Sequence, residues 1–297
     1  MSEEKNRTEP RTLYLVATPI GNMADITDRA RKVLSEVDFI AAEDTRNTAR
    51  LLSCLGIHRP LISYHEHNRH ARGGEIIARL LAGESCAVVT DAGMPAISDP
   101  GADLVKLAAE ADLPVTVIPG CCAAVTALAL SALPTERFVF EGFLPVDNKN
   151  RKKRFEEIKN ERRTMIFYEA PHKLRTTLAD LLAVFGDRRI SLCRELTKIN
   201  EEIRRTTLAE AVAYYEEISP RGEYVLVLEG GESAGVPHPS ATAEETVTRT
   251  PAEQVAYYCE TRGISRMESI KLVARELGIH KSELYARLLK EEEDAEE

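Results

Sequence analysis

None of the six cysteines (Cys54, Cys86, Cys121, Cys122, Cys193, Cys259) forms a C-x-x-C pair, and five of them lie in apolar surroundings. That excludes a zinc ribbon or a disulfide frame and predicts reduced, mostly buried thiols in a cytoplasmic protein. Long hydrophobic runs are missing too. The longest apolar stretch, Cys121–Leu133, has 13 residues and includes Thr126 and Ser131, whereas a membrane span needs about 20. The opening MSEEKNRTEPR is polar, without the hydrophobic region of a secretory signal. There is no G-x-G-x-x-G and no G-x-x-x-x-G-K-[ST], so neither a dinucleotide fingerprint nor a Walker loop is supported. Internal repeats are absent as well.

What is present describes an ordinary globular chain. Its 297 residues fit roughly two domains. A hydrophobic fraction of 43% with 29% charged residues excludes wholesale disorder. The net charge of −9 argues at first against a nucleic-acid partner, but its distribution matters more. Six acids crowd into Glu291–Glu297, while Lys149–Arg163 carries eight basic against three acidic residues and Arg262–Lys290 seven against three. The average hides two basic segments.

From Thr12 to about Ile118 short β-rich runs alternate with helical patterns of about ten residues, which predicts a parallel or mostly parallel α/β sheet. A second set of elements opens at Phe138, where strands sometimes follow one another without a helix, so a mixed sheet is expected. The boundary is placed between Ser131 and Arg137. The domain reading is therefore a disordered 1–11, α/β domains over 12–133 and 134–231, a linker over 232–249, a helix-turn-helix-like module over 250–290 and an acidic tail over 291–297. Capping boxes are predicted at Thr207-x-x-Glu210, Thr250-Pro251-x-Glu253 and Ser265-x-x-Glu268. The tail is expected either to shield the module's basic surface or to touch nothing.

The most informative segment is Thr90-Asp91-Ala92-Gly93-Met94-Pro95-Ala96-Ile97-Ser98-Asp99-Pro100-Gly101, at the carboxyl end of a predicted strand, where open α/β sheets bind ligands. Its small residues let a ligand approach the backbone, its acids can accept hydrogen bonds, and the following helix offers free N–H groups. The plainer reading is a structural loop with Asp99 as a helix cap. Pro119-Gly120-Cys121-Cys122 and Phe167-Tyr168-Glu169-Ala170-Pro171-His172 end later strands and would face the same cleft. His65-Glu66-His67-Asn68-Arg69-His70 lacks a further ligand at metal spacing, so a solvated cluster or an RNA-facing loop is expected instead. Asp44 or Thr45 reads most simply as a helix cap.

ATPIGN, IAAEDTR, ISYHEHN, TDAGMPAISDPG, FEGFLP, FYEAPHK, CRELTK and GEYVLVLEGG occur in this order between Leu13 and Gly231. Together they resemble the tetrapyrrole-methylase-fold enzymes, and more narrowly the branch that methylates the ribose 2′-oxygen of a cytidine in small-subunit ribosomal RNA. The resemblance implies a two-domain α/β fold of the class III methyltransferase type, S-adenosylmethionine in the cleft between the domains, a homodimer, and the assembled small ribosomal subunit as substrate. No metal is implied. For cofactor contacts it implies Pro19, Gly21, Asp91, Ala92, Gly93, Ile97, Ser98, Asp99, Pro119, Gly120, Phe167 and Tyr168. A ribose hydroxyl is a poor nucleophile at neutral pH, which makes Glu43, Asp44 and Glu169 candidate proton acceptors. Arg46, His65, Arg151, Lys152, Lys153 and Arg154 are the candidate RNA contacts. Met94, Ala96 and the Cys121-Cys122 pair depart from the family's usual residues. Two other readings remain: a porphyrinoid methylase of the wider superfamily, and a helix-turn-helix DNA-binding regulator with a ligand-sensing α/β part.

Overall fold

The computed structural model describes residues 7–231 and, beyond them, 251, 252, 255, 259, 265–276, 281, 284, 285, 287 and 288. The expected linker, the acidic tail, and Thr250, Glu253 and Lys290 lie outside the described residues. The chain divides into two compact units, Met1–Glu232 and Ser233–Glu297.

The first unit opens with β1 (Leu13–Val16), α1 (Asp28–Glu36), β2 (Phe39–Ala42), α2 (Thr45–Leu55), β3 (Leu61–Ser63), α3 (Arg69–Leu81), β4 (Cys86–Val89), α4 (Gly101–Glu110) and β5 (Val115–Ile118). The strands form a parallel sheet in the order β3-β2-β4-β1-β5. Side chains alternate between its faces. Tyr14, Val16, Ile40 and Ala42 pack with Val33, Leu34 and Leu52 of α1 and α2, whereas Leu13, Phe39, Ala41 and Cys86 pack with Ile76, Leu80 and Leu104 of α3 and α4. Helices on both faces explain why β2 and β4 are buried at every position. Side-chain caps set the helix starts: Thr27 accepts from the Ala30 N–H at 3.1 Å and Asp44 from the Arg46 N–H at 2.8 Å.

The second half runs through α5 (Ala123–Leu130), β6 (Phe138–Phe143), α6 (Asn148–Ile158), β7 (Thr164–Glu169), α7 (Pro171–Phe185), β8 (Arg189–Arg194), β9 (Glu202–Thr207), α8 (Leu208–Glu217) and β10 (Tyr224–Leu228). Its sheet order is β6-β7-β10-β8-β9. β6 runs parallel to β7 and the other pairings are antiparallel, so the sheet is mixed as expected. Phe167, Leu192 and Leu226 face α6, α7 and α8. Ile166, Cys193, Val225 and Val227 pack against Ala124, Ala127 and Leu128 of α5. The capping box at Thr207 and Glu210 is formed.

Two boundaries move. α5 packs on the second sheet, so the halves divide before it, near Pro119–Cys122, rather than between Ser131 and Arg137. Part of the segment expected to be disordered is tied down. Thr8 Oγ1 donates to Glu36 at 3.0 Å, the Glu9 N–H to the Tyr14 hydroxyl at 2.6 Å and the Arg11 N–H to the Glu84 carbonyl at 2.9 Å.

In the second unit, α9 (Arg266–Glu276) starts at the predicted cap: the Glu268 N–H donates to Ser265 Oγ at 3.4 Å, and Glu268 accepts from the Ser265 N–H at 3.2 Å. Val255, Ile270, Val273, Ala274, Leu284 and Leu288 form a core of their own. No helix among the described residues is long and apolar enough to cross a membrane.

Candidate active site

The carboxyl ends of β2 and β4 and the turn after β1 open onto a cleft of about 450 Å³, whose other wall comes from the ends of β7 and β8 and the start of β10. Because β10 is antiparallel to β7 and β8, its first residues reach the same edge as their last. The turn after β1 and the loop after β4 are joined directly. The Thr18 N–H donates to the Gly93 carbonyl at 2.9 Å and the Gly93 N–H returns a bond to Thr18 at 3.1 Å.

The 90–101 loop is held in an uncommon conformation, with φ of +86° at Gly93, +69° at Ala96 and +67° at Ser98. Non-glycine residues seldom adopt such angles, and surrounding contacts must hold them there. Asp99 supplies those contacts, because its Oδ1 accepts from the Ala96 N–H at 3.0 Å and the Gly101 N–H at 2.7 Å. Its other oxygen, Oδ2, is buried without a partner. Burial pushes the Asp99 carboxyl up from the ordinary aspartate value, and the two backbone donors reverse only part of the rise. Asp91 is also raised, first by burial and further by the charges of Glu43 and Asp44, against a hydrogen bond from Asn47.

Six acids line the cleft (Glu43, Asp91, Asp99, Glu169, Glu195 and Glu223), and among the described lining residues Lys198 is the one cation. Ile20, Met94, Ile97, Ala123 and Phe143 supply apolar wall. A negative, partly apolar cleft suits a ligand that carries positive charge on an organic frame. Glu43 is positioned by Thr90 Oγ1, which donates to it at 2.6 Å. Glu169 accepts from Thr177 Oγ1 at 2.5 Å and from the Ala170 N–H at 2.9 Å. Tyr168 packs edge-on against Phe140 and Phe143, and its hydroxyl accepts from the Ala124 N–H at 3.2 Å. Burial lifts that phenol to about 12, so it stays protonated.

Of the expected cofactor contacts, Asp91, Ala92, Gly93, Ile97, Ser98, Asp99 and Tyr168 line the cleft, and of the expected proton acceptors Glu43 and Glu169 do. Others are placed elsewhere. Phe167 points to the opposite face of its strand, fully buried among Leu174, Leu178 and Leu226. Asp44 caps α2 and pairs with Arg46, whose hydrogen bonds hold its carboxyl down at about 2. So acidic a group is a poor proton acceptor. Gly21 meets the second half of the unit: a Cβ there would lie 2.4 Å from Lys198 Cγ. Pro19, Pro119 and Gly120 are not among the lining residues, and Gly120 lies so close to Ala17 that an added Cβ would come within 2.8 Å.

The expected RNA contacts also divide. Helical periodicity turns Arg151 and Arg154 toward the body, on the side of buried Phe155 and Ile158. Arg151, 12% exposed, pairs with Asp180 at 2.7 Å and donates to Thr177 at 2.9 Å. Arg154 bridges Glu141 and Glu157. Lys152 and Lys153 are exposed. Arg46 is 84% exposed while paired with Asp44. The half-buried His65 is held in a local turn, its N–H donating to Asn68 at 2.8 Å. Among the described residues no group of three or more His, Cys, Asp or Glu is arranged to hold a metal ion. The sequence reading missed Glu195, Lys198 and Glu223. CRELTK and GEYVLVLEGG were the available signal, but only the pairing of β10 with β8 brings them together.

Residues 12–212 match the family model of the tetrapyrrole (corrin/porphyrin) methylases. The ribosomal RNA small subunit methyltransferase I of Halalkalibacterium halodurans is 48% identical over 282 residues, 95% of this chain and 96% of that protein. The protein of the same name from Synechocystis is 44% identical over 283 residues, covering 95% and 99%. Among solved structures, uroporphyrin III C-methyltransferase from Thermus thermophilus aligns with a TM-score of 0.53 at 17% identity, over 73% of this chain and 97% of that one. That likeness concerns the fold alone. With a family match through both α/β halves and a ligand cleft at their strand ends, the chain belongs to the tetrapyrrole (corrin/porphyrin) methylase family.

Proposed function

We propose that this protein transfers a methyl group from S-adenosylmethionine to small-subunit ribosomal RNA, at the ribose 2′-oxygen of a cytidine, acting on the assembled subunit. What carries the reading is the 44–48% identity, over 95% of the chain, to proteins named ribosomal RNA small subunit methyltransferase I. The porphyrinoid alternative rests on fold likeness at 17% identity, and the same identity to ribosomal RNA methyltransferases, which runs over 95% of the chain, weighs against the DNA-binding regulator. We further propose that the enzyme works as a homodimer in the cytoplasm.

The cleft fits the cofactor. S-adenosylmethionine carries a sulfonium and an ammonium, and the first half's wall offers Asp91 together with the unpartnered Asp99 Oδ2. When bound, the cofactor supplies an electrophilic methyl carbon. The protein's task is to orient and to exclude water. The 90–101 loop turns Ala92, Gly93 and Ser98 to the cleft, where small residues let a ligand approach closely, and Ile20 and Ile97 provide apolar walls. Glu43, held at the cleft wall by Thr90, is our assignment for the group that accepts the ribose hydroxyl proton, because Glu169, two residues beyond Phe167 on β7, has its oxygens engaged by Thr177 of α7 and the Ala170 N–H.

Labelled methyl should pass to purified small subunits, and nuclease digestion should recover it as 2′-O-methylcytidine. Label on a porphyrinoid, or on free RNA and not on subunits, would overturn the assignment. Within α6, Lys152→Glu with Lys153→Glu should flatten the salt dependence of subunit binding by about 1 to 2 in logarithmic slope and leave the unfolding temperature unchanged. Arg151→Glu should instead cost stability on the order of 3 kcal/mol, because it leaves Asp180 facing a like charge. An unchanged slope in the double variant would make α6 a solvated face.

A further inference from the structure

Lys198 sits in a turn whose shape is strongly constrained. Glu195 and Thr197 have φ of +50° and +65°, a region that residues with side chains seldom enter. The turn is closed by the Lys198 N–H on the Glu195 carbonyl at 3.0 Å and tied to the neighbouring strand by the Glu195 N–H on the Glu223 carbonyl, also at 3.0 Å. Glycines make room on both sides. A Cβ at Gly21 would lie 2.4 Å from Lys198 Cγ, and one at Gly222 would lie 2.5 Å from Glu195 Cγ. The stem of the lysine is therefore held between the two halves of the unit, with its ammonium at the cleft wall.

The ammonium has two unlike partners. It donates to Glu195 at 3.0 Å and to Glu223 at 2.9 Å. Glu195 is mostly buried and also accepts the Glu223 N–H at 2.9 Å, whereas the Glu223 side chain is 80% exposed. Burial alone would lower the Lys198 ammonium, but the hydrogen bonds and charges of the two glutamates leave it raised, so it stays charged. An RNA strand brings one negative charge per nucleotide to a cleft lined by six acids, and it needs a cation at the entrance. Exposed ion pairs contribute little and exchange readily.

We propose that Lys198 binds the backbone phosphodiester beside the target nucleotide, exchanging the exposed carboxylate of Glu223 for phosphate while Glu195 keeps hold of the lysine. This rests on the RNA substrate proposed above. Glu223 then acts as a built-in competitor for the phosphate position. It lowers affinity for RNA in general, and release of the lysine is reserved for a strand that reaches this wall.

The test uses the full chain, purified small ribosomal subunits and labelled S-adenosylmethionine. Lys198→Met keeps an unbranched stem on Gly21 and removes the charge. It should raise KM for subunits at least tenfold at low salt with kcat little changed, the pattern of lost uniform binding. It should also reduce the salt slope by about 0.7 to 0.9, one phosphate contact, while calorimetric affinity for S-adenosylmethionine stays within twofold. Glu223→Gln should act in the opposite direction and lower KM severalfold at low salt. If both variants raise KM, or Lys198→Met weakens the cofactor and leaves the salt slope intact, Lys198 is a strut between the halves and the proposal fails. Should Lys198→Met not fold, Glu223→Gln decides alone, and an unchanged or raised KM rejects the exchange. Failure of the wild-type protein to methylate subunits would count against the substrate assignment instead.

Discussion

Gly93→Val is expected to abolish measurable S-adenosylmethionine binding, with calorimetry placing any residual affinity at least a hundredfold below wild type. The backbone at Gly93 has φ +86°, and both its N–H and its carbonyl are bonded to Thr18. A β-branched residue is a genuine outlier at such an angle, at a cost of roughly 1–2 kcal/mol before any contact is considered. An added Cβ would lie 3.2 Å from Ile20 Cγ2 and 3.5 Å from the Cys121 carbonyl, and the valine methyls reach further. The chain can yield by opening the Thr18–Gly93 bridge, which moves the wall that holds Asp91 and Asp99. Since the bridge is local, the unfolding temperature should fall by only about 3–8 °C. Normal affinity in a folded variant would show that this loop is not the cofactor wall.

Phe167→Ala should do the reverse. Its ring is fully buried between the second sheet and α7, and deleting a core phenylalanine costs about 3–5 kcal/mol. For a unit of this size, that lowers the unfolding temperature by roughly 10 °C or more. Cofactor affinity of the remaining folded protein, measured well below the transition, should stay within a few-fold. A variant that keeps its thermal transition but loses the cofactor would place the ring in the cleft after all.

These two positions show where the sequence was legible. Capping boxes, helix stops and strand–helix alternation depend on neighbours a few residues apart, and Thr207, Glu210, Ser265 and Glu268 behave as their spacing predicted. The 90–101 loop stood out because it is long and rich in small residues at a strand end. Which side chains face the cleft depends on the two-residue alternation of each strand. The motif FYEAPHK carries Phe167 and Tyr168 together, but the pleat sends one to the helices and the other to the cleft. Glu43 and Asp44 separate in the same way, because the second is consumed in starting α2. Gly21 was hardest to read. Its neighbour, Lys198, is far along the chain and reaches it only when the halves meet.

The position of β10 affects how the protein is made. It is the last strand of its unit in the chain, yet it lies in the middle of the second sheet, paired on one side with β7 and on the other with β8. As the polypeptide emerges during synthesis, β6 and β7 can pair early, as can β8 and β9, but the two ribbons have no shared partner until Leu228 is available. Their inner edges present unpaired backbone groups throughout that interval, the kind of surface that recruits other chains. A product that stops before Tyr224 would therefore be left as two separate ribbons, a substrate for chaperones or proteases, while the first half could already be native.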